Sequence, residues 1–231
     1  RIGLKFDIFA AVKNFQFTLI MKKVFSTILA ASMMLIGTAA LAQPSIGIGY
    51  VNSSDKAKVS NTTNTTNLSG FYVGGSYNIN VTGALNVAPG LYYTLVTKSD
   101  ADNYFGLVDT KVDATEHYLS IPVMFNAGLP LTNDIVGCVY AGPTLAYGLA
   151  SKTKVKGSVA GFSKDATINN YDDDYNYGRF DIMLGGGVAV DFYDIVRFKI
   201  GYDYGLVNRY TGDGDATRHR SQFTVGVAYL F

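Results

Sequence analysis

From Phe223 to Phe231 every second residue is large and apolar: Phe223, Val225, Val227, Tyr229 and Phe231. The residues between them, Thr224, Gly226, Ala228 and Leu230, with Gln222 just before, are mostly small or polar. A repeat of two fits a strand whose two faces meet different surroundings, and it does not fit a helix, whose repeat is 3.6. The same repeat recurs upstream. Ile46, Ile48 and Tyr50 alternate with Gly47 and Gly49; Leu85, Val87, Leu91, Tyr93 and Leu95 alternate with small or polar residues. Leu119 to Ala127, Phe180 to Phe192 and Val196 to Leu206 repeat the pattern.

This periodicity predicts eight strands: 45–52, 70–81, 85–97, 115–129, 135–150, 178–192, 196–207 and the closing strand from His219. The faces of the fifth are not assignable from parity. Pro89 has no N–H for a ladder and marks an expected bulge or kink. Between the strands the connections alternate between long and short. Residues 53–69, 98–114, 151–177 and 208–218 are long and polar; 81–84, 130–134 and 193–195 are tight. The run Asn61-Thr-Thr-Asn-Thr-Thr-Asn67 reads as a mobile loop.

The chain has 231 residues and no helix-period run after residue 42. Met21-Lys-Lys-Val begins a basic start, an apolar middle reaching Leu41, and small residues at Ala40-Leu41-Ala42, which is the plan of a signal peptide. Residues 21–42 are therefore expected to be an export leader, residues 1–20 an upstream extension outside the native protein, and residues 43–231 the barrel domain. Without residues 1–42 the chain loses five basic residues and Asp7. It keeps 14 basic against 17 acidic residues, a formal charge of −3. That balance argues against a nucleic-acid partner. Cys138 is the single cysteine, so no intrachain disulfide forms. There are 17 Tyr and 14 Phe, and tyrosine suits a boundary between lipid and water.

Strands that meet lipid must close on themselves, because unpaired edges cannot face hydrocarbon. An even number of strands with long connections at one end and short turns at the other is the plan of a transmembrane barrel. The expected fold is all-β: an eight-stranded antiparallel up-and-down transmembrane β-barrel. Several blocks carry a resemblance to a family: Tyr118-Leu-Ser-Ile-Pro-Val123, Ala141-Gly-Pro143, Asp181-Ile-Met-Leu-Gly-Gly-Gly-Val188 and Gly201-Tyr-Asp-Tyr-Gly-Leu-Val-Asn208. They resemble the PorT-like outer-membrane β-barrel proteins. The resemblance implies an eight-stranded barrel, exported to the cell outer membrane of a Gram-negative bacterium. The aromatic end, Tyr229 and Phe231, resembles the signal read by the barrel-assembly machinery.

Charged residues within the strands should face the lumen. Asp181, Asp191, Arg197, Lys199 and Asp203 all fall on the non-apolar parity. With a turn at 193–195, Asp191 lies opposite Arg197, and Lys199 is diagonal to Asp191. These five form an expected luminal charge cluster, structural or gating. Tyr171, Asp172, Asp173, Asp174 and Tyr175 are expected on the surface as contacts for an extracellular ligand or partner. The acidic run lacks the spaced ligands of a calcium loop, so no metal or cofactor is expected. His219 and Ser221 share one face, but no acid stands where it would orient the imidazole. The expected function is non-enzymatic: an outer-membrane barrel with long surface loops in a structural, interaction or adhesion role. A narrow channel for small solutes and a lipid-modifying enzyme are the alternatives. Outer-membrane lipid and the assembly machinery are the expected partners.

Overall fold

A computed structural model describes residues 42–104, 108–159, 162–172, 175–212 and 214–231. The expected leader and upstream extension lie outside these, apart from Ala42. No helix of the described residues is long and apolar enough to cross a membrane. Nine strands make one antiparallel sheet: β1 (Ala42–Val59), β2 (Thr62–Thr82), β3 (Leu85–Tyr104), β4 (Val108–Pro130), β5 (Ile135–Val159), β6 (Phe162–Asn169), β7 (Phe180–Phe192), β8 (Val196–Gly205) and β9 (Thr217–Leu230). Eight of them form a ring. The order runs β4-β3-β2-β1-β9-β8-β7-β5, and β5 pairs back to β4. The seam between first and last strands runs from Ser45 opposite Leu230 to Lys58 opposite Thr217.

The ring is inverted relative to a water-soluble barrel. Ile46, Ile48, Leu91, Phe125, Val139, Leu184, Val188, Phe198, Ile200 and Phe231 all stand exposed on the outer wall. Asp181, Asp191, Glu116, Arg220, Asn126 and Gln222 are buried. Alternation therefore sends apolar side chains outward, into a belt that only lipid can cover, and polar ones into the lumen. At the short-turn end, Gly83, Tyr193 and Asp194 take positive φ. Ile195 N–H donates to Phe192 O at 3.0 Å and closes the turn between β7 and β8.

The other end differs from the sequence reading. Most of residues 53–69, the described part of 98–114 and much of 151–177 are strand rather than loop. β1 continues to Val59 and β2 begins at Thr62; β3 continues to Tyr104 and β4 begins at Val108; β5 continues to Val159 and returns as β6. The chain thus raises three hairpin ribbons above the belt, and the second and third are joined edge to edge, because β4 stays paired with β5 as far as Val108 opposite Val159. The eight residues of β5 that pair with β6 span roughly 27 Å if fully extended. Thr, Val and Lys can alternate along such a ribbon, and β-branched Thr favours the extended form over the mobile loop expected for residues 61–67. Pro89 produces no bulge: it pairs with Val123 in the register that holds along β3 and β4. A register shift occurs instead between β4 and β5 at His117/Tyr118, where His117 faces Ala150 and Tyr118 faces Gly148. Leu149 is the extra residue.

Candidate functional site

β6 ends at Asn169 opposite Lys152, and β7 begins at Phe180 opposite Tyr147. Ten residues, 170–179, thus occupy a gap that four residues of β5 bridge. Tyr171 and Tyr177 of this insertion turn inward. Asn170 N–H donates to Ser151 O at 2.8 Å, and Gly148 N–H donates to Arg179 O at 2.7 Å, which fixes both ends of the insertion. A second irregular segment, 206–216, meets it from across the opening. Gly178 N–H donates to Arg209 O at 2.7 Å and Thr211 N–H to Asn176 O at 3.0 Å. Tyr177 and Tyr210 form an isolated bridge.

The two segments carry Tyr171, Tyr177 and Arg209 into the lumen, where they converge on Glu116 of β4. Oε1 of Glu116 accepts from Tyr171 Oη at 2.7 Å, from Arg209 Nη2 at 2.9 Å and from Arg220 Nη2. Tyr177 Oη donates to Asp55 Oδ2 at 2.9 Å and to Glu116 Oε2 at 3.3 Å. Arg218 Nε donates to Asp55 Oδ1 at 2.7 Å. Rings fill the remaining space. Tyr171 and Tyr177 stack 5.4 Å apart, Arg179 covers the Tyr171 ring, and Arg209 and Arg218 lie over Tyr177. Arg220 sits over Tyr118, whose hydroxyl donates to Gln222 at 2.9 Å. Arg209 and Arg220 are each 1% exposed. Buried charges persist only when paired and hydrogen-bonded, and these are. Burial pushes the Tyr171 and Tyr177 phenols far above their ordinary range, so both remain donors. Together these groups make a plug across the lumen.

Open space lies on both sides of it. Towards the ribbons is a mouth of about 290 Å³, lined by Lys98, Asp100, Thr153 and Arg218 among others. Towards the short turns is a cavity of about 120 Å³, lined by Tyr72, Tyr92, Tyr140, Lys199 and Asp203 among others. Beside the latter, Asp191 binds Arg197 through both oxygens, at 2.6 and 2.7 Å, and Arg197 also donates to Asn78 at 3.2 Å.

The structure disperses the expected luminal cluster. Asp191 and Arg197 stand opposite each other and pair. Lys199 does not join them. Arg197 takes both carboxylate oxygens, and the Lys199 ammonium lies instead over the rings of Tyr92 at 4.7 Å and Tyr72 at 5.1 Å. Asp203 accepts from Gln222 at 3.2 Å. Asp181 is buried and has no ion pair among the described residues. Of the expected surface contacts, Tyr171 is a correction: it is buried in the plug, because its insertion turns inward. Asp172 and Tyr175 are exposed, and Asp173 and Asp174 lie outside the described residues. Phe231 and Tyr229 are exposed on the outer wall with their rings 4.9 Å apart. His219 stacks on Tyr204, and its Nδ1 lies 3.2 Å from Gly205 O; among the described residues no carboxylate is bonded to the ring. Among the described residues no cluster of His, Cys, Asp or Glu could hold a metal.

Sequence reasoning passed over Glu116, Asp55, Arg209 and Arg220. Parity could have found three of them. Glu116 shares the inward parity of Tyr118 and Ser120, Arg220 that of Gln222, and Asp55 that of Val51 and Ser53. Arg209 lies in a segment with no alternation to read.

No curated protein matches the sequence. Solved structures do. Ail, the attachment invasion locus protein of Yersinia pestis, crystallised with the heparin analogue sucrose octasulfate, is 15% identical; the match covers 82% of this chain and 99% of that one, with a TM-score of 0.41. Neisserial surface protein A is 15% identical over 80% of this chain and 97% of that one, TM-score 0.40. The outer-membrane enzyme PagL is 11% identical over 77% of this chain and 97% of that one, TM-score 0.44. The sequence itself matches the family described as "Outer membrane protein beta-barrel domain" over residues 39–210. With its closed ring, apolar outer belt and polar lumen, this chain belongs to the outer membrane protein beta-barrel domain family and resides in the outer membrane.

Proposed function

We propose that the protein is a non-conducting, non-enzymatic barrel that presents three β-ribbons outside the cell for contact with a partner, matrix or surface polymer. The observation that carries this reading is the plug. Arg209, Tyr171 and Tyr177 fill the lumen just where the strands leave the apolar belt, so the wall acts as a support for what rises above it. Binding residues commonly sit on segments held by a rigid scaffold. The sequence blocks quoted above support a place among the PorT-like members of the family. Among the described residues no carboxylate orients His219, which favours a non-catalytic role for His219 and Ser221.

The test is to trim each ribbon in turn, for example replacing residues 152–169 with a two-residue turn. The trimmed barrel should keep its heat-dependent shift on a detergent gel. Cells carrying it should adhere less to immobilised polymer or to other cells. Unchanged adherence for all three trimmed forms would count against the proposal. Passage of a small solute is the second reading, and the spaces on either side of the plug favour it. It requires the plug to withdraw.

A further inference from the structure

The bulge at Leu149 also re-aims the outer half of β5. Below it the outward residues are odd-numbered, Val139 and Tyr147 among them; above it they are even-numbered. Lys152, Lys154 and Lys156 are all exposed, while Ser151 between wall and ribbon is buried. β4 shifts no parity of its own, so Lys111 stands opposite Lys156 and Asp113 opposite Lys154 on the same outward face. β6 adds Asn169, Thr167 and Asp165 to it.

The stripe begins at the rim of the apolar belt. Tyr147 and Leu149 are the last exposed apolar residues of β5 below Lys152, and Arg179 donates to the carbonyls of Gly148 and Leu149 at that level. Lipid headgroups must lie there. Asp113 is held by Ser99 at 2.6 Å and by Lys111 at 3.5 Å. Among the described residues, Lys152, Lys154 and Lys156 form no ion pair. Asp55, Asp100 and Glu116 line the mouth instead, while Asp165 stands opposite Lys156 on the outward face. The outward face thus carries four lysines against two carboxylates, Asp113 and Asp165.

We infer that Lys152, Lys154 and Lys156, with Lys111, form a binding stripe for the phosphates of outer-leaflet glycolipid headgroups. Alternate residues of a strand repeat at roughly 6.8 Å, which sets three point charges in a row that starts at the rim of the belt and rises from it. Their aliphatic stems rest on the wall while the ammonium groups reach anionic oxygens.

The test titrates the folded barrel in detergent micelles with lipid A bearing two phosphates, and with the same lipid dephosphorylated, read by native mass spectrometry. The phosphorylated lipid should bind about tenfold more tightly or better. K152Q/K154Q/K156Q should lose most of that margin, whereas Lys98→Gln, which changes a residue of the mouth, should keep it. Equal binding of the two lipids to the unaltered protein overturns the inference, and that comparison needs no variant. Unchanged preference in a triple variant that still shows its heat shift also overturns it, and would assign the stripe to an acidic macromolecule above the membrane.

Discussion

Glu116 is the only glutamate in the sequence, and it accepts from two tyrosines and two arginines. Removing one member of a buried ion pair leaves the others uncompensated and costs about 3–5 kcal/mol. Glu116→Gln should therefore lower the temperature at which the gel band shifts, and a wild-type transition would contradict the role given to this residue. Asp191→Asn should cost less, since Arg197 keeps an acceptor in Asn78 and is not fully buried. The buried phenols make a pH prediction. Tyr171 and Tyr177 are pushed up by burial, so their contribution to stability is present below the ordinary tyrosine pKa of about 10 and is lost as pH rises beyond it. Ultraviolet titration of the wild type minus that of Y171F/Y177F should show no tyrosinate step near pH 10. A step there would mean that the two rings meet solvent.

The plug and the ribbons are variations of one element, a strand that outlasts the membrane. Gly148 is where the plug leaves the wall: a Cβ on it would collide with the hydroxyl of Tyr171. Gly148→Ala should push Tyr171 off Glu116 without touching a charge, and proteases should then cut segment 170–179 faster than in the wild type. Equal cutting would show that the insertion is held from elsewhere. Such elements were unevenly legible in the sequence. The wall strands could be read because each has one face in lipid and one in the lumen. Above the belt both faces of a ribbon meet water, no face must be apolar, and the signal fades. Residues 53–69 and 98–114 therefore looked like loops. The faces of β5 resisted assignment because Gly137, Ala141, Gly142 and Ala146 blur the alternation and the bulge at Leu149 reverses it. The opposition of Asp191 and Arg197 followed from counting through a short turn. The convergence on Glu116 could not be counted, because Tyr171, Tyr177 and Arg209 sit in irregular segments that no register predicts.

At the scale of the molecule, two closures hold the account together. The first is around the wall, where β1 pairs with β9 from Ser45–Leu230 to Lys58–Thr217. Phe231 N–H adds a bond to Pro44 O at 3.0 Å, made by backbone alone. Phe231→Ala should thus leave a refolded barrel heat-modifiable. If the terminal aromatic serves assembly, the same change should lower the amount found in the outer membrane of cells; equal amounts would remove that role. The second closure is across the lumen, and it separates a support for surface ribbons from a channel. Eight strands leave an interior that side chains can fill, and here Tyr118, Arg220, Arg209 and the stacked tyrosines fill it. The most direct test is current through a planar bilayer holding the purified, heat-modifiable protein. The plugged barrel should pass no more current than lipid alone, and replacing residues 170–179 with a four-residue link should switch conductance on. Steady unitary current from the unaltered protein would contradict the closed lumen on which the proposed function rests.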